Sequence, residues 1–265
     1  MPDRPEKIAR FGVPVLEPED VIRHLAKGVQ HWKGGYSAHA LATTWFAANG
    51  FPPKVRALLD ASPAFRNLDL IDGIFERKTE LGDGGRPSQT DLLVVARNDD
   101  GLAIIGVEGK AEEPFGQTLT QRLAERSEGG ALAARLARLC ALLRVEWPEG
   151  ALRYQLFHRA AACLIEADRY GAKRALLLVH SFSERQSSLG DFKAFARALK
   201  LNDEALPFSV EGPLLCSVNG REIELYLGWV TEQAEHADFW DRLRKHADNS
   251  ASYAVTIRDW IAKRS

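Results

Sequence analysis

The chain has 265 residues, 45% hydrophobic and 27% charged, with a formal net charge of -1. This composition suits a globular chain with one large core or two modest ones, and it excludes a disordered chain and a binder that holds nucleic acid through a global basic field. Cys140, Cys163 and Cys216 are widely spaced, the charged start at residues 1–7 leads into no apolar segment, and no apolar run nears spanning length; a cytoplasmic protein with reduced thiols and no membrane partner is expected.

Pro2, Pro5 and Pro14 interrupt any helix over residues 1–16. Val21, Ile22, Leu25 and Val29 then recur at helical spacing and predict a helix over 17–29, weakened at Gly28. Ser37 is a suitable N-cap for a helix carrying Leu41, Trp45 and Phe46, which Asn49-Gly50 stops before Pro52. Pro53 opens a further helix with Val55, Leu58 and Leu59 on its buried side. His31 and His39 have nothing converging on them and read as surface or cap residues, and the surrounding aromatics read as packing.

Phe65 to Asp72 reads as either a helix end or a strand start, and Ile74 to Leu81 as a strand. The glycine-rich loop 82–87 lacks the Gly-Lys-Ser/Thr ending of a phosphate-binding loop and serves to carry the chain into a hairpin that begins near Asp91. In that hairpin two apolar runs, Leu92 to Ala96 and Leu102 to Val107, flank Asn98-Asp99-Asp100-Gly101, the composition of a tight turn. A two-residue loop of Asp99-Asp100 sets Asp91 opposite Glu108, about 4.5 to 5.5 Å apart at Cβ, with Lys110 on the same face. A loop of Asp100-Gly101 sets Asp91 opposite Lys110 instead, and a three-residue loop breaks the alignment unless a bulge restores it. Two carboxylates and an ammonium on one face suit a hard divalent cation beside an activated water. Glu76-Arg77-Lys78 repeats the Glu-x-Lys spacing without an Asp across a turn, and reads as a decoy on the preceding strand.

Beyond Gly116 the pattern predicts an α-hairpin, Thr118 to Glu128 and Ala131 to Val145, inserted before a core helix at Ala151 to Tyr170. That helix carries Leu152, Leu156, Ala160, Cys163 and Leu164 on one side and Gln155, Arg159 and Glu166 on another. Polar groups on a buried helix need partners, so Arg153 to Arg159 is a second candidate site segment, with a solvated helix face as the alternative. Ala175 to His180 is a near-continuous apolar strand, which after a helix predicts a parallel crossover pairing. His180-Ser181-Phe182-Ser183 lacks a Gly-x-Ser-x-Gly elbow, against a serine hydrolase. A helix at Asp191 to Leu201, a hairpin around Asn219-Gly220 and two terminal helices, Glu232 to His246 and Ala254 to Lys263, complete the expected single domain of 1–265.

Asp91 with Val-Glu-Gly-Lys at 107–110 resembles the Asp, Glu-x-Lys pattern of the PD-(D/E)XK nuclease superfamily, the restriction-endonuclease-like fold. Arg-Pro-Ser-Gln-Thr-Asp at 86–91, Glu-Pro-Phe-Gly at 113–116, Arg-Tyr-Gln-Leu at 153–156 and His-Ser-Phe at 180–182 are similar to an uncharacterised bacterial family placed near it. The resemblance covers about 37–182 and implies an α/β fold with an αβββαβ core and a mixed central sheet, carrying the helical insertion at about 117–150 and a C-terminal hairpin and helices at about 212–265. It further implies that Asp91, Glu108 and the Gly109 carbonyl bind Mg²⁺ or Mn²⁺, and that Lys110 positions the nucleophilic water. Gln155 then faces the centre, and Arg86, Arg153 and Arg159 contact phosphate. The first core helix has no glutamate, where many members have one, and Glu76 or Glu80 can stand in.

A Mg²⁺-dependent nuclease acting on DNA or RNA is therefore the leading expectation. Arg122, Arg126, Arg135, Arg138, Arg144, Arg153 and Arg159 supply candidate phosphate contacts. A nuclease-like module that binds nucleic acid or a protein without catalysis is the alternative, and a hydrolase of a small phosphorylated compound is a third reading.

Overall fold

Asn98 and Gly101 pair across a two-residue turn of Asp99 and Asp100, and from that turn the strands β2 (Ser88–Asn98) and β3 (Gly101–Lys110) run antiparallel as far as Leu92 opposite Val107. This is the first of the registers the sequence allowed. Arg174, almost wholly buried, clamps the turn: its Nη2 donates to Asn98 Oδ1 at 2.7 Å and to the Gly101 carbonyl at 2.9 Å.

The computed structural model describes residues 15–25, 32, 37–124, 129–146, 148–183 and 185–232. Within them β1 (Asp69–Thr79) lies antiparallel to β2, and β3 pairs in parallel with β4 (Arg174–Ser181). β6 (Arg221–Thr231) continues in parallel beside β4, and β5 (Glu211–Val218) closes the edge antiparallel to β6. The sheet order is β1-β2-β3-β4-β6-β5, a six-stranded mixed sheet in an α/β chain. Every residue of β4 is buried, as expected of a parallel strand covered on both faces.

Helices cover the two faces. α1 (Ser37–Ala48) and α2 (Pro53–Ala61) pack on Leu92, Val94, Ile105, Val107, Leu176 and Leu178. α5 (Tyr154–Tyr170), the crossover between β3 and β4, packs on Leu93, Val95, Ile104, Leu177 and Val179 with α4 (Gly129–Leu142) and α6 (Leu189–Ala198) beside it. Each fully buried Leu, Ile or Val contributes about 1.5–3 kcal/mol, so these alternating stripes fix which face each strand residue takes. Gly171, left-handed at φ 73°, ends α5 and returns the chain to β4.

Several elements differ from expectation. The first helix is a 3-10 turn at Pro18–His24, because the buried Asp20 carboxylate takes the Leu16 and Glu17 N–H groups and Arg23, and Leu25 leaves in an extended conformation. The insertion begins with a short α3 (Leu119–Leu123), and Gly129 opens α4 rather than preceding it. β1 starts earlier than Ile74, with a bulge at Ile71. The two helices expected beyond Glu232 lie outside the described residues, as does His31.

Candidate metal centre

The centre forms where β1, β2 and β3 reach the first turns of α5. Glu108 and Lys110 project from β3 towards α5, and Gly109, between them, faces α1 at such close range that a Cβ would meet the Ser37 carbonyl oxygen at 3.3 Å. Asp91 stands across from Glu108 by the hairpin register, and its Oδ2 accepts the Gly109 N–H at 2.9 Å. The carboxylate thus replaces a ladder bond just past the last paired residues.

β1 and β2 change face at this level. Phe75 stacks on Phe46 of α1, whereas Arg77, two residues on, bonds Glu166 of α5. Leu92 likewise packs towards α1, while Ser88 is bonded by Arg159 of α5. Side chains two apart on a regular strand share a face, so the phase reverses between them. The reversal falls on Glu76, which has φ 54°, and on Asp91 opposite it, the position where the β1–β2 ladder skips a rung. A non-glycine residue in the left-handed region costs about 1–3 kcal/mol and is held by its surroundings. Here Gln89 Nε2 donates to the Glu76 carboxylate.

Glu108 is the hub. Its Oε1 accepts Lys110 Nζ at 3.0 Å and Gln155 Nε2 at 2.6 Å, and its Oε2 accepts Arg159 Nε at 2.5 Å. Arg159 also approaches Asp91 Oδ1 at 3.9 Å and donates through Nη1 to Ser88 Oγ at 3.1 Å. That hydroxyl lies 2.9 Å from His158 Nδ1. A hydrogen-bonded chain therefore runs from Lys110 through Glu108, Arg159 and Ser88 to His158.

Charge follows this geometry. Burial alone would raise the Glu108 pKa, but Arg159 and Lys110 outweigh it and hold the carboxyl down at about 2. Burial works against the Lys110 and Arg159 cations, yet Glu108 and Asp91 together raise both pKa values. Asp91 is pushed well above the usual carboxylate range by burial and by the Glu108 charge. Glu76 is pushed up to about 7, chiefly by burial. Burial and neighbouring Arg159 keep His158 neutral, far below its ordinary value. Lys110 is thus held as a cationic donor.

Asp91, Glu108, Lys110, Gln155 and Arg159, singled out in the sequence, come together. Arg153 lies elsewhere in its bonding: Nε donates to Asp191 at 2.9 Å and Nη1 to the Gly116 carbonyl at 2.8 Å. Arg86 is exposed, and its carbonyl accepts Arg135, which also pairs with Asp83 at 3.0 Å. Arg144 bonds the Leu215 carbonyl, Arg122 lies over the Tyr154 ring, and Arg126 is outside the described residues. Of the expected phosphate contacts, several therefore tie elements together. His180 sits on the opposite face of the sheet, taking the Trp45 indole N–H at 3.2 Å. Sequence reasoning missed Ser88 as a member; its position three residues before Asp91, in the run 86–91, was the available signal. The Glu of the supposed decoy, Glu76, also proves to stand across from Asp91, whereas Glu80 follows the end of β1.

Asp91, Glu108 and Glu76 offer hard oxygen donors, the chemistry a Mg²⁺ site uses, and burial raises the pKa values of Asp91 and Glu76, with the Glu108 charge adding to it at Asp91. The donor set fits a divalent cation in kind. Among the described residues, no three His, Cys, Asp or Glu side chains form a group that could hold a metal ion.

No helix among the described residues is long and apolar enough to cross a membrane. No curated protein and no solved structure matches the chain. The model of one family, described as a domain of unknown function, DUF6946, matches residues 14–234, a span that takes in every described strand and helix and the whole polar centre. The chain belongs to the DUF6946 family.

Proposed function

We propose that this protein is a Mg²⁺-dependent nuclease of the restriction-endonuclease-like type, hydrolysing phosphodiester bonds in DNA or RNA. The observation that carries the reading is the convergence of Asp91, Glu108, Lys110 and Gln155 at one end of β2 and β3, against α5. The chain order of helices, three antiparallel strands, crossover helix and parallel strand supports the αβββαβ core that this type requires.

A bound Mg²⁺ supplies Lewis-acid stabilisation of charge on the phosphoryl oxygens and acidifies a water. Asp91 and Glu108 would hold it, with the Gly109 carbonyl beside them. Lys110 keeps its proton and fixes the attacking water by donating to it or to the phosphate. Gln155 anchors the Glu108 oxygen that Lys110 also uses, so the pair is held in one geometry. Arg159 presents a planar fork of donors suited to a phosphate.

Purified protein incubated with single- and double-stranded DNA and RNA plus Mg²⁺ or Mn²⁺ is expected to cleave at least one of them. Lys110→Ala should lower the rate by about 10²–10³-fold, the usual cost of removing one donor to developing charge. Cleavage unchanged in Lys110→Ala overturns the assignment.

One observation favours the non-catalytic alternative: Glu108 is closed on all sides by Lys110, Gln155 and Arg159. If that ring is permanent, calorimetry with Mn²⁺ gives no heat of binding, and a nuclease-like module that binds nucleic acid or a protein partner is the reading that stands.

A further inference from the structure

Three groups hold Glu108, and they are not equivalent. Gln155 is neutral and Lys110 touches Oε1 alone. Arg159 binds Oε2 and also lies 3.9 Å from Asp91 Oδ1, so its guanidinium spans the two carboxylates that a metal would span. Its side chain is 9% exposed and that of Glu108 2%, which leaves little water to screen the pair. A divalent cation set between the two carboxylates would lie close to the guanidinium, and like charges about 4 Å apart repel in a partly buried setting, which favours its displacement. The guanidinium has a second anchor, however. Nη1 is already bonded to Ser88 Oγ, which His158 backs with a neutral ring nitrogen. Release from Glu108 therefore leaves Arg159 tethered beside the centre with Nε and Nη2 open.

We propose that Arg159 is the resident counter-cation of the Asp91–Glu108 pair, displaced when a divalent metal enters and transferred to the substrate phosphate, so that metal and phosphodiester bind with positive coupling. This rests on the metal-centre reading above. The work of displacing Arg159 weakens metal binding to the free protein, and a phosphate that accepts the released guanidinium returns that work. Linkage makes the effect reciprocal: the metal tightens phosphodiester binding by the same factor.

The test is a calorimetric Mn²⁺ titration of the wild-type protein, Arg159→Met and Arg159→Lys. Each is run alone and with a short oligonucleotide whose linkages are non-hydrolysable methylenephosphonates. Arg159→Met should bind Mn²⁺ alone about tenfold tighter than wild type, and Mn²⁺ should tighten oligonucleotide binding about tenfold more in wild type than in Arg159→Met. Arg159→Lys, with one charged group that cannot bridge both carboxylates and Ser88, should fall between. If wild type binds Mn²⁺ and Arg159→Met binds it no tighter, the displacement proposal fails while the metal centre stands. If no form binds Mn²⁺, the metal centre itself fails. Should Arg159→Met not fold, the wild-type protein still decides: the ¹⁵N-edited Nε–H resonance of Arg159, identified by its loss in Arg159→Lys, should shift at stoichiometric Mg²⁺. An Nε–H signal unmoved by bound Mg²⁺ overturns the proposal.

Discussion

Cys163 Sγ lies against the bare Cα of Gly106, in the space that a Cβ at that position would occupy. This contact sets how closely α5 approaches β3, and therefore how far Gln155 and Arg159 reach towards Glu108. Gly106→Ala should destabilise the fold by about 1–3 kcal/mol through overpacking. Adding Cys163→Ala should recover part of the loss, and urea denaturation of the four members of the cycle measures the coupling. Strict additivity would show that the two residues do not meet.

The Glu108–Arg159 pair is buried on both sides, so removing one partner strands a charge. Glu108→Ala, measured without divalent cations, should cost about 3–5 kcal/mol of stability. Arg159→Met should cost a similar amount, and the double variant clearly less than the two combined. A double variant as unstable as the combined singles would mean that the ion pair makes no difference to the folded state.

On the other face of the sheet, Trp45 donates to His180 Nδ1, which leaves the Nε2–H for Glu232 Oε1 at 3.2 Å. Burial lowers the His180 pKa below its ordinary 6.5, against a smaller upward pull from Glu232. The folded state then binds fewer protons than the unfolded one once the pH drops below 6.5, so the stability present above that value is lost as pH falls towards the folded pKa. His158, lowered by burial and by Arg159, acts in the same direction. His180→Gln keeps a donor and an acceptor without titrating, and should flatten part of the acid-side decline in melting temperature. Parallel pH profiles for wild type and variant would refute this.

Glu166, on the last turns of α5, binds Arg77 at 3.1 and 3.3 Å and Thr79 at 2.7 Å, and so fastens the end of the edge strand β1. Glu166→Ala should speed amide hydrogen exchange along 77–79 and at their partners 88–90 while leaving β5 and β6 unchanged. Because Glu76 adjoins this segment, Mn²⁺ affinity should fall with it. Uniform acceleration over the whole sheet would instead mean a global loss of stability.

Much of this architecture is legible in the residues because its signals are local. The Asn98–Gly101 turn, the apolar alternation of β2 and β3 and the spacing of Gln155 and Arg159 on α5 each depend on neighbours within a few positions. Those are the features that bring Asp91, Glu108 and Lys110 together. What stayed hidden depends on contacts remote in sequence. The left-handed Glu76 reverses the phase of two strands at once, and no periodicity within β1 announces it. The diversion of Arg153 to Asp191 and of Arg135 to Asp83 required knowing where α4 and α6 pack. Pro18–His24 carries a helical apolar pattern, but one buried carboxylate closes the backbone before a full α-helix can form.

The Asp99–Asp100 turn begins eight residues from Asp91, about 27 Å along an extended strand. Its length nevertheless determines which β3 residue Asp91 meets, since one added residue would slide β2 past β3 and exchange a carboxylate neighbour for another group. Arg174, gripping Asn98 and Gly101, is therefore a remote guardian of the spacing between the two acids. Loop insertions are ordinarily the mildest changes a surface accepts, but here the chemistry at one end of the hairpin is set by chain length at the other. Natural relatives that vary this turn should do so by whole pairs of residues, or with a compensating bulge, wherever both acids are kept.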